Sequence, residues 1–178
     1  MAGDLLIRNS VMIVGGRAVD GDMRVVDGLI GSIAPGGGLE PRDGELVIDG
    51  DGLHLLPGAI DPQVHFREPG QPEKEDIESG SRAAAAGGVT AFLDMPNNVP
   101  IATSMAAMRD KLDSAARSAV THHGFFIGAT PNNVSELQAA VGSPDAPSPS
   151  AGICGHSTRE MSRWWIAGWG TCWICWTD

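Results

Sequence analysis

The stretch Leu55-Leu56-Pro57-Gly58-Ala59-Ile60-Asp61-Pro62-Gln63-Val64-His65-Phe66-Arg67-Glu68-Pro69-Gly70 joins a short apolar run to a dense polar segment. The apolar run predicts a strand, and α/β folds place their functional sites directly after such strands. In an extended backbone, side chains at alternate positions lie on one face. Four polar residues follow this spacing here: Asp61, Gln63, His65 and Arg67.

The residue types on this face indicate a metal and anion site. His65 is a common kind of Zn²⁺ ligand, and Asp61 could bind the metal or orient the ligating imidazole. Arg67 could hold a carboxylate through two parallel hydrogen bonds. For a lone His, a solvated strand end would be the better interpretation. Four such residue types in alternation favour a site.

The chain after this segment alternates predicted helices and strands. Helices are predicted at 73–86, at 103–118 with Thr103 as the capping residue, and at 134–141, with strands at 89–94 and 125–129. The apolar residues of the second helix, Met105, Met108, Leu112 and Ala116, keep the 3–4 spacing of one helical face. This alternation predicts parallel strands joined by crossover helices. A doubly wound sheet and a (β/α)₈ barrel both fit the pattern.

Residues 1–54 contain several short apolar runs separated by turn signals, among them Gly15-Gly16 and Asp27-Gly28. Such spacing predicts a small antiparallel sheet. Strands are expected at 5–7, 11–14, 23–26, 29–33 and 45–49. The stretch 142–150 contains three prolines and is predicted to be a surface loop.

Composition narrows the classes of partner. The 178 residues carry a formal net charge of -10 with a sequence pI of about 4.8, which argues against nucleic acid and anionic membrane surfaces as partners. The sequence shows no signal peptide and no apolar run of membrane-spanning length. With few Cys residues, a cytoplasmic location is expected.

Several motifs together resemble one enzyme family. Residues 61–70 resemble the D-x-H-x-H signature of the amidohydrolase superfamily, in the H-x-R-E-P-G form found in dihydroorotases. Gly87-Gly88-Val89-Thr90 matches the family's G-G-V-T, and Met95-Pro96-Asn97-Asn98 is similar to its M-P-N-T. The likeness runs in the same order from residue 4 to about residue 153.

The resemblance implies a fold and an activity. The fold is an α/β architecture, here an incomplete (β/α)₈ TIM barrel over residues 55–150, preceded by strands of a small β-sandwich in residues 1–54. The activity is the zinc-dependent hydrolysis of dihydroorotate to N-carbamoyl-aspartate in pyrimidine biosynthesis, with one or two Zn²⁺ ions. By resemblance, His65 is a zinc ligand, Asp61 is the leading acid of the motif, and Arg67 and Asn97 bind the substrate carboxylate.

The chain departs from the family pattern in three ways. Gln63 stands where the first ligand His is expected, and a neutral amide is a poor zinc ligand beside imidazole. Cys154 stands where relatives carry a segment with a metal-bridging Lys. A complete barrel takes roughly 250 residues, more than this chain supplies after Leu55. An inactive truncated chain is therefore expected, with no catalytic residue assigned.

Residues 151–178 differ in amino-acid composition from the rest of the sequence. All 5 Trp residues lie between Trp164 and Trp176, and all 3 Cys residues lie at Cys154 or later. The preferred interpretation is an aberrant tail produced by out-of-frame translation.

Three alternatives to a dihydroorotase remain open from the sequence. The first is a hydantoinase or allantoinase, because these enzymes share much of the architecture. The second is a non-catalytic relative that serves as a scaffold partner of aspartate transcarbamoylase, an interpretation motivated by Gln63. The third is a truncated product without a function of its own. A homo-oligomer is also compatible with the sequence.

Overall fold

The computed structural model describes residues 4–142 and 152–155 of the chain. The chain divides into two compact units, Met1–Pro57 and Gly58–Asp178. Within the described residues, no helix is both long and apolar enough to cross a membrane. Most of the predicted loop at 142–150 and of the predicted aberrant tail lies outside the described residues.

The first unit is a five-stranded sheet. Its strands are β1 (Leu5–Val14), β2 (Arg17–Val26), β3 (Leu29–Pro35), β4 (Leu46–Asp49) and β5 (His54–Leu55). The strand order is β3-β2-β1-β4, and β5 also pairs with β1. The two strands predicted at 5–7 and 11–14 form one strand, whose register shifts between Ile7 and Ser10.

The predicted antiparallel arrangement is correct for β1, β2 and β3 and wrong for β4 and β5, which run parallel to β1. Tight turns at Gly15-Gly16 and Asp27-Gly28, all four residues with positive φ, force the first three strands to reverse direction. A longer connection joins β3 to β4, so the chain can return in the direction of β1.

The second unit alternates strands and helices. Its elements are β6 (Ala59–Val64), α1 (Ile77–Ala86), β7 (Val89–Asp94), α2 (Met105–Ser118), β8 (His122–Ala129), α3 (Val134–Gly142) and β9 (Gly152–Gly155). The four strands are parallel and lie in the order β6-β7-β8-β9. This sequential order is that of a (β/α)₈ barrel, whereas a doubly wound sheet reverses its strand order at a switch point.

Two helices begin later than predicted because another residue caps them. Asp76 accepts a hydrogen bond from the Ser79 amide at 2.7 Å, so α1 starts at Ile77 rather than at residue 73. Ser104, rather than Thr103, caps α2. Both caps leave a polar connection between the preceding strand and the helix.

The core of the second unit lies between the sheet and its helices. Aromatic rings form its centre, with 4.8 Å between the ring centroids of Phe66 and Phe92. Helix α2 buries Met105, Met108, Lys111 and Ala115. Leu112 is half-buried and packs against the same core, whereas Ala116 is exposed. The apolar spacing therefore identified the face that holds Met105, Met108 and Leu112, and it missed Lys111.

Candidate functional site

The polar segment lies at the carboxyl ends of β6 and β7. Strand β6 ends at Val64, whose carbonyl accepts a hydrogen bond from the Met95 amide at 2.9 Å. This bond holds the residues that follow the two strands side by side. In a parallel barrel this edge is the one that carries the active site.

His65 and Asn97 are joined at this edge. The distance from His65 Nδ1 to Asn97 Oδ1 is 2.9 Å, and both side chains are half-buried. An amide oxygen only accepts hydrogen bonds, so this contact is a hydrogen bond in the tautomer whose Nδ1 carries the proton. In that neutral tautomer, Nε2 keeps its lone pair. The contact therefore favours the tautomer that leaves Nε2 open to a metal ion or a substrate proton.

Asp61 and Gln63 precede His65 within β6. The Asp61 carboxylate accepts a hydrogen bond from the Gln63 backbone amide at 3.0 Å, and the Gln63 side chain is exposed. In the described part of the chain, no hydrogen bond joins either of these side chains to His65. The structure thus joins His65 to Asn97 rather than to its strand neighbours.

Arg67 lies in the connection between β6 and α1. Its backbone amide donates to the Glu75 carbonyl at 2.9 Å, and its carbonyl accepts from the Gln71 amide at 2.8 Å. The next residue, Glu68, accepts hydrogen bonds from the Ile77 amide at 3.0 Å and from the Ser114 hydroxyl. The connection is therefore hydrogen-bonded to α1 and α2, and the backbone of Arg67 is held by its own hydrogen bonds.

A buried lysine that the sequence analysis missed lies behind this segment. The side chain of Lys111 is fully buried, and its Nζ lies 2.6 Å from Asp94 Oδ2, 2.7 Å from Asn98 Oδ1 and 3.1 Å from the Met95 carbonyl oxygen. Its ammonium also lies 4.8 Å from the centroid of the Phe125 ring. The sequence feature that could have identified it is the spacing of three residues that places Lys111 on the same helical face as Met105 and Met108.

The partners of Lys111 also hold the backbone of the polar segment. Asp94 Oδ1 accepts from the Phe66 amide at 2.9 Å. Asn98 Nδ2 donates to the carbonyls of Phe66 and Glu68, at 3.1 and 3.0 Å. Burial raises the pKa of Asp94 against the attraction of Lys111, and burial lowers the pKa of Lys111 against the attraction of Asp94. The attraction between Asp94 and Lys111 therefore offsets part of the free-energy cost of removing both charges from water.

Gly80 of α1 provides a test of the packing around Phe66. A Cβ atom at position 80 would overlap the Phe66 ring, so we expect Gly80→Ala to lower the free energy of unfolding by about 1–3 kcal/mol. The measurement is urea denaturation. Arg82→Ala on the exposed side of the same helix is the control and should stay within about 0.5 kcal/mol. A Gly80→Ala variant as stable as the unmutated chain would contradict this packing.

Comparison with known proteins places the chain in a family. The pattern of the amidohydrolase family matches residues 54–145. The chain belongs to the amidohydrolase family. It is 35% identical over 153 residues to an allantoinase of Solibacter usitatus, covering 85% of this chain and 31% of that protein. It is 48% identical over 97 residues to a dihydroorotase of Bacillus licheniformis, covering 54% of this chain and 22% of that protein.

Solved structures of amidohydrolases show the same fold. The L-hydantoinase (dihydropyrimidinase) of Arthrobacter aurescens superposes with a TM-score of 0.76 at 22% identity, covering 90% of this chain and 35% of that chain. The predicted fold class, strands of a (β/α)₈ barrel preceded by a small β-unit, is thus confirmed. The chain spans about a third or less of the length of the relatives it matches.

Amidohydrolases of this kind are expected to hold zinc, and the described residues do not fit a zinc ion by themselves. A zinc site takes at least three protein ligands. Within residues 4–142 and 152–155, no group of three or more His, Cys, Asp and Glu side chains is placed to hold a metal ion. At the edge formed by the carboxyl ends of β6 and β7, the described residues supply the imidazole of His65.

Proposed function

We propose that this chain carries the carboxylate-binding side of the active site of a cyclic amidohydrolase that acts on dihydroorotate. The observation that supports the proposal most is the His65–Asn97 hydrogen bond at the barrel edge, two residues from Arg67. The R-E-P-G segment at 67–70 favours this substrate, and relatives named dihydroorotase are compatible with it.

Arg67 and Asn97 would share the recognition of the substrate carboxylate. The guanidinium of Arg67 offers a fork of donors that matches a carboxylate. Asn97 Oδ1 accepts a hydrogen bond from His65 Nδ1, which leaves the Nδ2 group of Asn97 as a donor toward a substrate oxygen. Because dihydroorotate carries a carboxylate at physiological pH, these donors would select it over neutral ring amides.

In this proposal, His65 is the main residue of the chain that would bind zinc. Its Nε2 would be a metal ligand in an intact family site, with Asp61 as a further ligand or as an orienting group and Gln63 at the position of the first ligand His. When bound, zinc would polarise the ring carbonyl and activate water. Since the described residues lack a complete set of zinc ligands, we expect no turnover from them alone.

An allantoinase or hydantoinase activity is the second candidate. The relatives named allantoinase cover more of this chain than the Bacillus licheniformis dihydroorotase does. Allantoin and hydantoin have no carboxylate, so Arg67 would have no charged partner in either. This difference separates the two candidates by experiment.

Gln63 favours a third candidate, a non-catalytic scaffold partner of aspartate transcarbamoylase. An amide in place of an imidazole weakens the metal site without affecting surfaces elsewhere on the chain. Stable co-elution of the two proteins would support this candidate, and separate elution at working concentration would refute it.

The experiment that tests the main proposal is isothermal titration calorimetry of the chain with L-dihydroorotate, allantoin and hydantoin. We expect a dissociation constant of roughly 1 mM for dihydroorotate, because a partial site supplies only a few kcal/mol. Allantoin and hydantoin should bind at least about tenfold more weakly, since they lack the carboxylate that would form charge-assisted hydrogen bonds with Arg67. Equal or tighter binding of allantoin would refute the dihydroorotate proposal and favour the allantoinase type.

A further inference from the structure

We infer that Lys111 is a positioning residue, which fixes the directions of the His65 and Arg67 side chains through Asp94 and Asn98; the inference rests on the proposed function of those two side chains. Lys111 lies on α2 and does not touch either of them. It acts through the backbone of the residue between them, Phe66.

Polar contacts satisfy all three hydrogen-bond donors of the Lys111 ammonium. Its side chain is completely buried, and a Lys is almost never buried in this way unless its charge is paired. The ammonium has three donors, and three acceptors surround it: Asp94 Oδ2, Asn98 Oδ1 and the Met95 carbonyl. All three acceptors come from the end of β7 and the loop after it. Lys111 thus holds that loop in one conformation.

Each side-chain partner of Lys111 uses a second atom to hold Phe66. Asp94 binds Lys111 with Oδ2 and the Phe66 amide with Oδ1. Asn98 binds Lys111 with Oδ1 and the Phe66 carbonyl with Nδ2. The backbone of Phe66 is therefore held at both its N–H and its C=O. Because His65 and Arg67 flank it, the directions of their Cα–Cβ bonds follow from these contacts.

Packing alone does not account for a Lys at this position. The preceding residues of the same buried face are Met105 and Met108, so an apolar side chain would also fill the space. A buried ion pair is weak evidence for stability, since its desolvation offsets much of its attraction. Placing a loop in a unique geometry does require a directional group, and Lys111 provides one.

The test compares Lys111→Met with Met108→Ala. Lys111→Met keeps the length of the side chain and removes its three donors. Met108→Ala opens the same buried face of α2 and removes none of the hydrogen bonds of Asp94 and Asn98. Two quantities are measured in the full chain: the ¹⁵N chemical shifts of the His65 ring and the Phe66 amide in the free protein, and the dissociation constant of L-dihydroorotate. Urea denaturation measures how much each variant lowers the free energy of unfolding, so that the two variants can be compared.

We expect Lys111→Met to displace the His65 and Phe66 resonances and to weaken dihydroorotate binding by about tenfold, as loss of an outer-shell partner does. Met108→Ala should leave both quantities nearly unchanged even where its stability loss is as large. Should Lys111→Met fail to fold, the double variant Lys111→Met/Asp94→Asn removes the unpaired buried charge. We expect it to fold with the same displaced resonances, because Asn98 still lacks its anchor.

The inference is overturned if the His65 and Phe66 resonances of the folded Lys111 variant match those of the unmutated chain, or if Met108→Ala moves them equally. If the unmutated chain binds no dihydroorotate, the proposed function fails separately. In that event, the resonances of the free protein still decide the positioning role of Lys111.

Discussion

Lys111→Met lowers the free energy of unfolding by about 3–5 kcal/mol, because it leaves the Asp94 carboxylate buried without its partner. Asp94→Asn added to the same chain recovers much of that loss, since the pocket then holds no charge. The neutral amide oxygen can still accept the Phe66 amide hydrogen. A loss of this size is a large fraction of the stability of an ordinary domain.

A double-mutant cycle measures this coupling by urea denaturation. The pair Arg82 and Glu78, whose side chains are exposed and 3.0 Å apart on α1, is the matched control and should couple by about 0.3–0.5 kcal/mol. Additive effects of the Lys111 and Asp94 substitutions would contradict the buried network.

The pH dependence of the single variant follows from the pKa of Asp94, which burial raises above its ordinary value of 3.8. A carboxyl group with a raised pKa in the folded state favours folding most when it is protonated. The stability of Lys111→Met should therefore increase as the pH falls through the raised pKa toward 3.8. A variant whose stability falls over that range would show that Asp94 is not trapped as a buried charge.

Arg67→Met weakens the binding of L-dihydroorotate by roughly 10- to 100-fold, because hydrogen bonds to a charged group contribute about 1.5–3 kcal/mol. Arg109→Met removes an exposed Arg from α2 and is the control, for which we expect unchanged binding. Titration calorimetry of both variants makes the comparison. Equal losses in both would indicate a nonspecific effect of net charge, and no loss in either would remove Arg67 from the site.

The sequence predicted much of the second unit because its signals are local. Strand β7 has the predicted bounds, and α3 differs from its prediction by one residue at its end. Helix α2 was predicted within two residues at its start. The strand order could not be predicted in this way, because the alternating pattern fits a barrel and a doubly wound sheet equally. Only the observed order, in which β6 pairs with β7 and β7 pairs with β8, distinguishes them.

The sequence could not predict the network behind the site because it depends on contacts between distant residues. Asp94 and Lys111 are separated by 17 positions, and Asn98 and Phe66 by 32. A pattern of apolar spacing does not predict a Lys on a buried face, so Lys111 could not be identified from it. The residues predicted to bind metal and carboxylate, His65, Asp61, Gln63, Arg67 and Asn97, remain proposals, supported for His65 and Asn97 by their hydrogen bond.

The measurement that tests the central claim most directly is a residue-resolved NMR map of L-dihydroorotate binding to the full chain. We expect the largest shift changes on Arg67 and Asn97, with smaller ones across 61–70 and 95–98. The resonances of His122 and His123, at the opposite end of β8 from the site, should stay unchanged. Largest changes within residues 4–57, or no changes at saturating ligand, would contradict the assignment of this edge as the substrate site.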